Sequence, residues 1–173
     1  MKKNIDELND REGIWQSDMS RIATITEEYY TYLFTTSHLR NMEMILEAVD
    51  KVVTHDMAHS LTQPHSEEEV KVALFSMHPS KSPGLDGISP FFFQKYWHIV
   101  GHDVMLTVLS VLHSSRCLKK MNFTHIVLIP KKNDPQYITK FRPISLSNVI
   151  SQIISKVLAN QKKSILPNII SDA

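Results

Sequence analysis

Four groups of side chains in this sequence have types and spacings that could do chemistry. His55 and His59, in His55-Asp56-Met57-Ala58-His59, stand one helical turn apart, so two imidazoles could face one zinc ion. The zinc-protease version of that spacing carries a glutamate as general base. Here Asp56 is one methylene shorter, and no third ligand of the kind an open zinc site needs is evident. Surface histidines are the expected reading. Cys117, the only cysteine, has no histidine close by in sequence, so an inert buried thiol is expected. Phe91-Phe92-Phe93 could stack nucleobases, but three consecutive aromatics on a helix are expected to pack around a core edge. Lys131-Lys132 open a ten-residue polar connection, 131–140, and Arg142 lies just beyond its end. If the segments on either side pair as a hairpin, these cations converge and could hold a polyphosphate, with arginine offering its planar fork. From spacing alone, a solvated hairpin tip is the stronger reading.

The elements that would position these groups can be read from periodicity. Met19, Ile22, Thr26, Tyr29, Tyr30 and Leu33 share one helical face, which predicts a helix over 18–34 capped by Ser17 or Asp18. Met42, Ile45, Leu46, Val49, Val52 and Val53 predict a second near 41–58. Ser66 and Glu69 have the capping-box spacing ahead of Val70, Ala73, Leu74 and Met77, a helix carried on until Pro79. Residues 79–90 hold three prolines and two of the four glycines, the composition of a structured turn. Ser89-Pro90 opens a short aromatic helix, and Val104, Val108, Val111 and Leu112 mark a longer one over 102–115.

Beyond Cys117 the period changes. Thr124 to Pro130 is β-branched and stopped by proline, which predicts a largely buried strand. Phe141 to Leu146 is its expected antiparallel partner, held to an edge by Pro143. Asn148 is the expected cap of a helix striped by Ile150, Ile153, Ile154, Val157 and Leu158 and ending near Leu166-Pro167.

The composition narrows the classes. A chain of 173 residues suits one domain, folded to bury roughly 70% of its extended surface. A lone cysteine rules out an internal disulfide and multi-cysteine zinc sites. No apolar run approaches the ~18 residues of a membrane span, and Met1-Lys2-Lys3-Asn4-Ile5-Asp6-Glu7 does not open a secretory signal. The expectation is an intracellular protein of nucleus or cytoplasm, with no membrane partner. Net charge is +1, but it is unevenly placed. Residues 1–115 carry 9 Lys+Arg against 16 Asp+Glu, a net of −7; residues 116–173 carry 10 against 2, a net of +8. A C-terminal third this basic attracts phosphates if its charges share a face.

Two longer stretches go beyond generic patterns. The run Ala73 to Gly87, ending Pro83-Gly84-Leu85-Asp86-Gly87, resembles the PGxDG segment ahead of the fingers in reverse transcriptases of plant LINE-type (non-LTR) retrotransposons. Phe91 to Gly101 follows at the family's distance. His125-Ile126-Val127-Leu128-Ile129-Pro130-Lys131-Lys132 looks like the first fingers motif, and Phe141 to Ile150, continuing from Ile154 to Asn160, is similar to the second. Four motifs stand in the family's order over about 70–170. Gly13-Ile14-Trp15 and Tyr29-Tyr30 look like the linker ahead of such domains.

The resemblance implies an α+β, mainly helical fold: fingers with a short antiparallel hairpin and the opening of the palm. Residues 1–65 would be a helical N-terminal extension and 66–173 a partial reverse-transcriptase domain. It implies an RNA-directed DNA polymerase that uses an RNA template, a DNA primer, deoxynucleoside triphosphates and Mg²⁺. Lys131 and Arg142 would hold the triphosphate. Gly84, Asp86 and Gly87 would shape the template path, with Lys140, Lys156, Lys162 and Lys163 on the nucleic-acid side. Gln161 stands where the family has arginine. Two-metal phosphoryl transfer needs a carboxylate cage. The sequence has no Asp-Asp pair, and after Asp103 its only acids are Asp134 and Asp172. The chain is therefore expected to be a truncated domain that binds no metal and is inactive alone. The alternatives are a nucleic-acid-binding module on the basic fingers surface, or a non-functional helical remnant.

Overall fold

The computed structural model describes residues 5–36, 47, 52–114 and 123–170. Cys117 and most of the helix expected near 41–58 lie outside the described residues. By compactness the chain forms two units: one from Met1–Ala48 and Ile126–Ile144, the other from Val49–His125 and Ser145–Ala173. The boundary expected at 65/66 follows motif resemblance, whereas these units follow packing.

The first unit begins with a small antiparallel pair, β1 (Leu8–Asn9) and β2 (Trp15–Gln16), in which Leu8 faces Gln16 and Asn9 faces Trp15. Asp10 builds the turn between them. Its Oδ1 accepts the N–H groups of Ile14 at 2.9 Å and Glu12 at 3.0 Å, and its Oδ2 accepts from Gln16 Nε2 at 2.8 Å. The Ile14 bond is the main reason the Asp10 carboxyl lies below its ordinary range; partial desolvation opposes it, and Gln16 and Glu12 add to it. Gly13 completes the turn at φ +81°, a conformation that glycine adopts without a Cβ penalty. Helix α1 (Met19–Phe34) follows, with Asp18 accepting the Arg21 N–H as N-cap.

Leu8, Ile22, Tyr30, Ile138 and Phe141 form the core of this unit, with Ile5, Ile25, Tyr29 and Leu128 packed around them. Burial pushes the Tyr30 phenol above its usual range, aided by neighbouring Tyr29.

Strands β3 (His125–Pro130) and β4 (Phe141–Leu146) pair, and the Lys131 N–H donates to Lys140 O at 2.8 Å just past the ladder. A 3₁₀ turn (Ile138–Lys140), absent from the sequence expectations, leads into β4. The expectation that β3 is largely buried is corrected. Only Leu128 is half-buried, while Val127 and Ile129 remain 43% and 41% exposed. A small core can cover only one face of a two-stranded sheet. Leu128 and Phe141 point to that core, and alternation turns Val127, Ile129, Arg142 and Ile144 outward.

The second unit is helical. Thr54 caps α2 (His55–Leu61) by accepting the Met57 N–H, so residues 52–54 precede the helix instead of continuing one from 41. Ser66 caps α3 (Glu67–Phe75) with both bonds of the capping box, the Ser66 N–H donating to Glu69 Oε2 at 2.7 Å. The helix stops at Phe75, short of Pro79. Gln94 donates to Leu74 O and Met77 O at 3.0 and 2.9 Å, which satisfies its end.

Pro90 occupies the first turn of α4 (Pro90–Lys95), although the Ser89 side chain makes no capping bond. Helix α5 (Trp97–Ser114) starts five residues earlier than expected. Gly101 does not break it, because the Trp97 ring packs where a Cβ would stand.

Helix α6 (Val149–Lys163) buries Val149, Ile153 and Val157, and a short α7 (Leu166–Ile169) follows. The stripe is rotated from expectation, and Leu158 is exposed. Val70, Ala73, Leu74, Met77, Phe93, Val104, Val108, Val149, Ile153 and Val157 make one continuous core. Of the aromatic triplet only Phe93 joins it; Phe91 and Phe92 are exposed, so the packing expectation holds for one ring of three.

Candidate nucleic-acid interface

The outward face of the β3–β4 hairpin carries Arg142 beside Val127, Ile129 and Ile144. Lys131, two residues beyond Ile129, continues that face. Its ammonium donates to Thr139 O at 2.9 Å, which leaves two of its three protons for another acceptor. Lys132, Lys140 and Arg142 are also exposed, so the hairpin end is a cluster of cations with Asp134 in its connection. Asp134 has φ 51°, in the left-handed region that short polar side chains tolerate in turns. Lys131, Lys140 and Arg142 are thus brought onto one hairpin, as their sequence spacing suggested.

In the second unit, the Pro-Gly-Leu-Asp-Gly segment is a turn closed by Gly87 N–H to Gly84 O at 3.2 Å, with Gly87 at φ +68°. The Asp86 carboxylate accepts the Ile88 N–H at 3.1 Å and so shapes the turn. Gly84 lies against the start of α6. A Cβ there would fall 2.6 Å from the Asn148 backbone nitrogen and 2.8 Å from its Cα. The Asn148 side chain, expected to cap α6, makes no capping bond, and its Oδ1 is buried without a partner. The glycine turn occupies the space above it. Two sequence stretches more than sixty residues apart therefore meet through the absence of a side chain.

Lys156, Lys162 and Lys163 do not act as one group. Lys156 lines a cleft of about 470 Å³ together with Lys81, whereas Lys162 and Lys163 occupy the last turn of α6 and favour its dipole. Lys81 was not singled out by sequence reasoning. Its place in Ser-Lys-Ser-Pro-Gly was the available signal.

A larger cleft of about 650 Å³ in the first unit mixes Arg11 and Arg21 with Asp10, Glu12 and Glu28 beside Tyr29, Tyr32 and Tyr137. Its opposed charges select no ligand class.

Mg²⁺ was implied by the resemblance. Among the described residues no group of three His, Cys, Asp or Glu side chains could hold a metal ion. The described residues do not fit that ion. His55 and His59 likewise lack a third ligand there, and His59 Nε2 lies 2.9 Å from Gln63 Nε2. No described helix is long and apolar enough to cross a membrane.

No protein-family model matches the chain. It is 28% identical over 171 residues to the uncharacterized 149 kDa protein of transposon TX1 from Xenopus laevis, a match covering 98% of this chain. The chain spans 13% of that protein's length. Similarity to a transposon protein thus runs through both compact units.

Proposed function

We propose that this chain is a fingers segment of a reverse transcriptase from a LINE-type retroelement of the kind found in plants. In this reading the fold is reverse-transcriptase fingers, with 66–173 the partial polymerase domain and 1–65 its helical extension. It grips an RNA template and a DNA primer, and Lys131 and Arg142 meet the triphosphate of an incoming nucleotide. Gly84, Asp86 and Gly87 shape the template path, and Lys140, Lys156, Lys162 and Lys163 face nucleic acid. As a 173-residue chain it binds without polymerising, since its sequence offers only Asp134 and Asp172 after Asp103.

The observation that carries this reading is the outward placement of Lys131 and Arg142 on one short hairpin. An ammonium with two free protons and a planar guanidinium suit phosphate oxygens. The similarity to a transposon protein along almost the whole chain supports the retroelement context.

The test uses the purified chain with RNA–DNA template-primer, Mg²⁺ and deoxynucleoside triphosphates. Expected are binding of the duplex and of the triphosphate, and no incorporation. Arg142→Gln should weaken triphosphate binding about tenfold, the loss of a charge-assisted hydrogen bond. Nucleotide incorporation would overturn the inactivity, and an unchanged affinity in the variant would overturn the assigned site.

A further inference from the structure

The cleft of about 470 Å³ in the helical unit is bordered by Ser76, Met77 and His78 at the end of α3, by Lys81 in the following turn, and by Ser147, Gln152, Ser155, Lys156 and Ala159 along α6. Both charged side chains are lysines, and among the described residues no carboxylate borders the cleft. The hydrogen bonds already made sort the remaining groups. Ser76 and Ser155 donate their hydroxyl protons to Ala73 O and Ser151 O, both at 2.9 Å, so they offer oxygens to the cleft and no protons. His78 Nδ1 accepts the Ser80 N–H at 3.2 Å, which assigns the ring proton to Nε2. The donors for a ligand are then Lys81, Lys156, His78 Nε2, the Ser147 hydroxyl and the second amide proton of Gln152, whose Nε2 already donates to Ser147 O at 2.6 Å and whose Oε1 is buried without a partner among the described residues.

We propose that this cleft seats an internucleotide phosphate of a bound nucleic-acid strand, with Lys81 and Lys156 as its paired cations. The proposal rests on the nucleic-acid reading above and adds a second contact, built from different residues than the hairpin. Its open walls, mixed polar and apolar, differ from the enclosed, mostly apolar pockets that hold small molecules. A phosphate in a polymer is therefore favoured over free phosphate or a free triphosphate. A lysine pair on a phosphate carries no base information, so the contact is expected to be sequence-independent.

The test measures affinity for a single-stranded RNA across a salt series, for the unaltered chain and for Lys81→Gln, Lys156→Gln and Lys71→Gln. Lys71 is an exposed lysine of α3 that does not line the cleft. Each cleft variant should flatten the log–log salt slope by roughly 0.7 and weaken binding equally for RNAs of different sequence. Lys71→Gln should leave the slope unchanged, and an unchanged thermal transition in each variant secures the fold. Steep binding by the unaltered chain with no change in either cleft variant would overturn the phosphate seat and leave the nucleic-acid reading standing. No binding by the unaltered chain even at low salt would overturn that reading itself. Inorganic phosphate and deoxynucleoside triphosphate run as competitors give the remaining arm. Displacement of RNA by either at submillimolar concentration, lost in both cleft variants, would make the cleft a small-anion site and overturn the polymer assignment.

Discussion

The two compact units solve the burial problem with unequal means. In the helical unit, α3, α5 and α6 each contribute at least two fully packed side chains to one continuous core, and short α4 adds Phe93. Among the described residues, the unit that contains the β3–β4 hairpin has five buried core residues and an apolar, exposed hairpin face. Helices can surround a core from several sides, whereas a two-stranded sheet has two broad faces, and the described residues cover one of them. The cations expected to meet a triphosphate stand on the less supported element, and the lysine-lined cleft stands on the more supported one. Catalytic and binding groups on thinly packed elements are the ones that move.

Truncation separates the units most strongly. Leu74→Ala should cost the upper part of about 2–5 kcal/mol, because three helices hold the cavity open; Leu8→Ala should fall in the lower part, where fewer neighbours resist collapse. Chemical denaturation of both variants checks the order, and equal losses would break the contrast.

Gly84→Ala should cost about 1–3 kcal/mol, since the Asn148 backbone must move to admit a methyl group. A thermal shift below a degree would mean the turn is looser than described.

Tyr30→Phe should be neutral or stabilising by up to about 1 kcal/mol, despite Tyr30 being only 7% exposed. It removes a buried hydroxyl with no hydrogen-bond partner among the described residues and keeps the ring that packs against Tyr29 and Phe34. Clear destabilisation would show that the hydroxyl is satisfied.

The smallest effect concerns acid. The Asp10 carboxyl titrates lower in the fold than in the open chain, so its contribution is full above the unfolded value and is lost as pH falls through the folded one. Hydrogen exchange at the Ile14 amide should therefore gain an acid-dependent opening over that window. Asp10→Asn should remove the dependence.

Much of the helical unit was legible because its signals are local. Ser66 and Glu69 form the capping box, Asp18 caps α1, and Val70, Ala73, Leu74 and Met77 are all buried at the expected spacing. What failed depended on tertiary company. The apolar run of β3 implied burial on both faces, but nothing in the run says that neighbours will cover only one. Asn148 reads as a cap until Gly84, distant in sequence, is placed above it. Lys156 was visible as a cation, but its partnership with Lys81 arises only when α3 and α6 pack together. The two-residue strands β1 and β2 are too short to give an alternating pattern, so the Asp10 turn left no periodic trace.

In the proposed reading this chain holds nucleic acid through phosphates. Titrating the unaltered 173-residue chain with single-stranded RNA from 50 to 300 mM salt, on the order of the range where counterion release is read, tests it most directly. Log affinity is expected to fall linearly with log salt, with a slope of about −2 or steeper. A flat line, or no binding at the lowest salt, would contradict it.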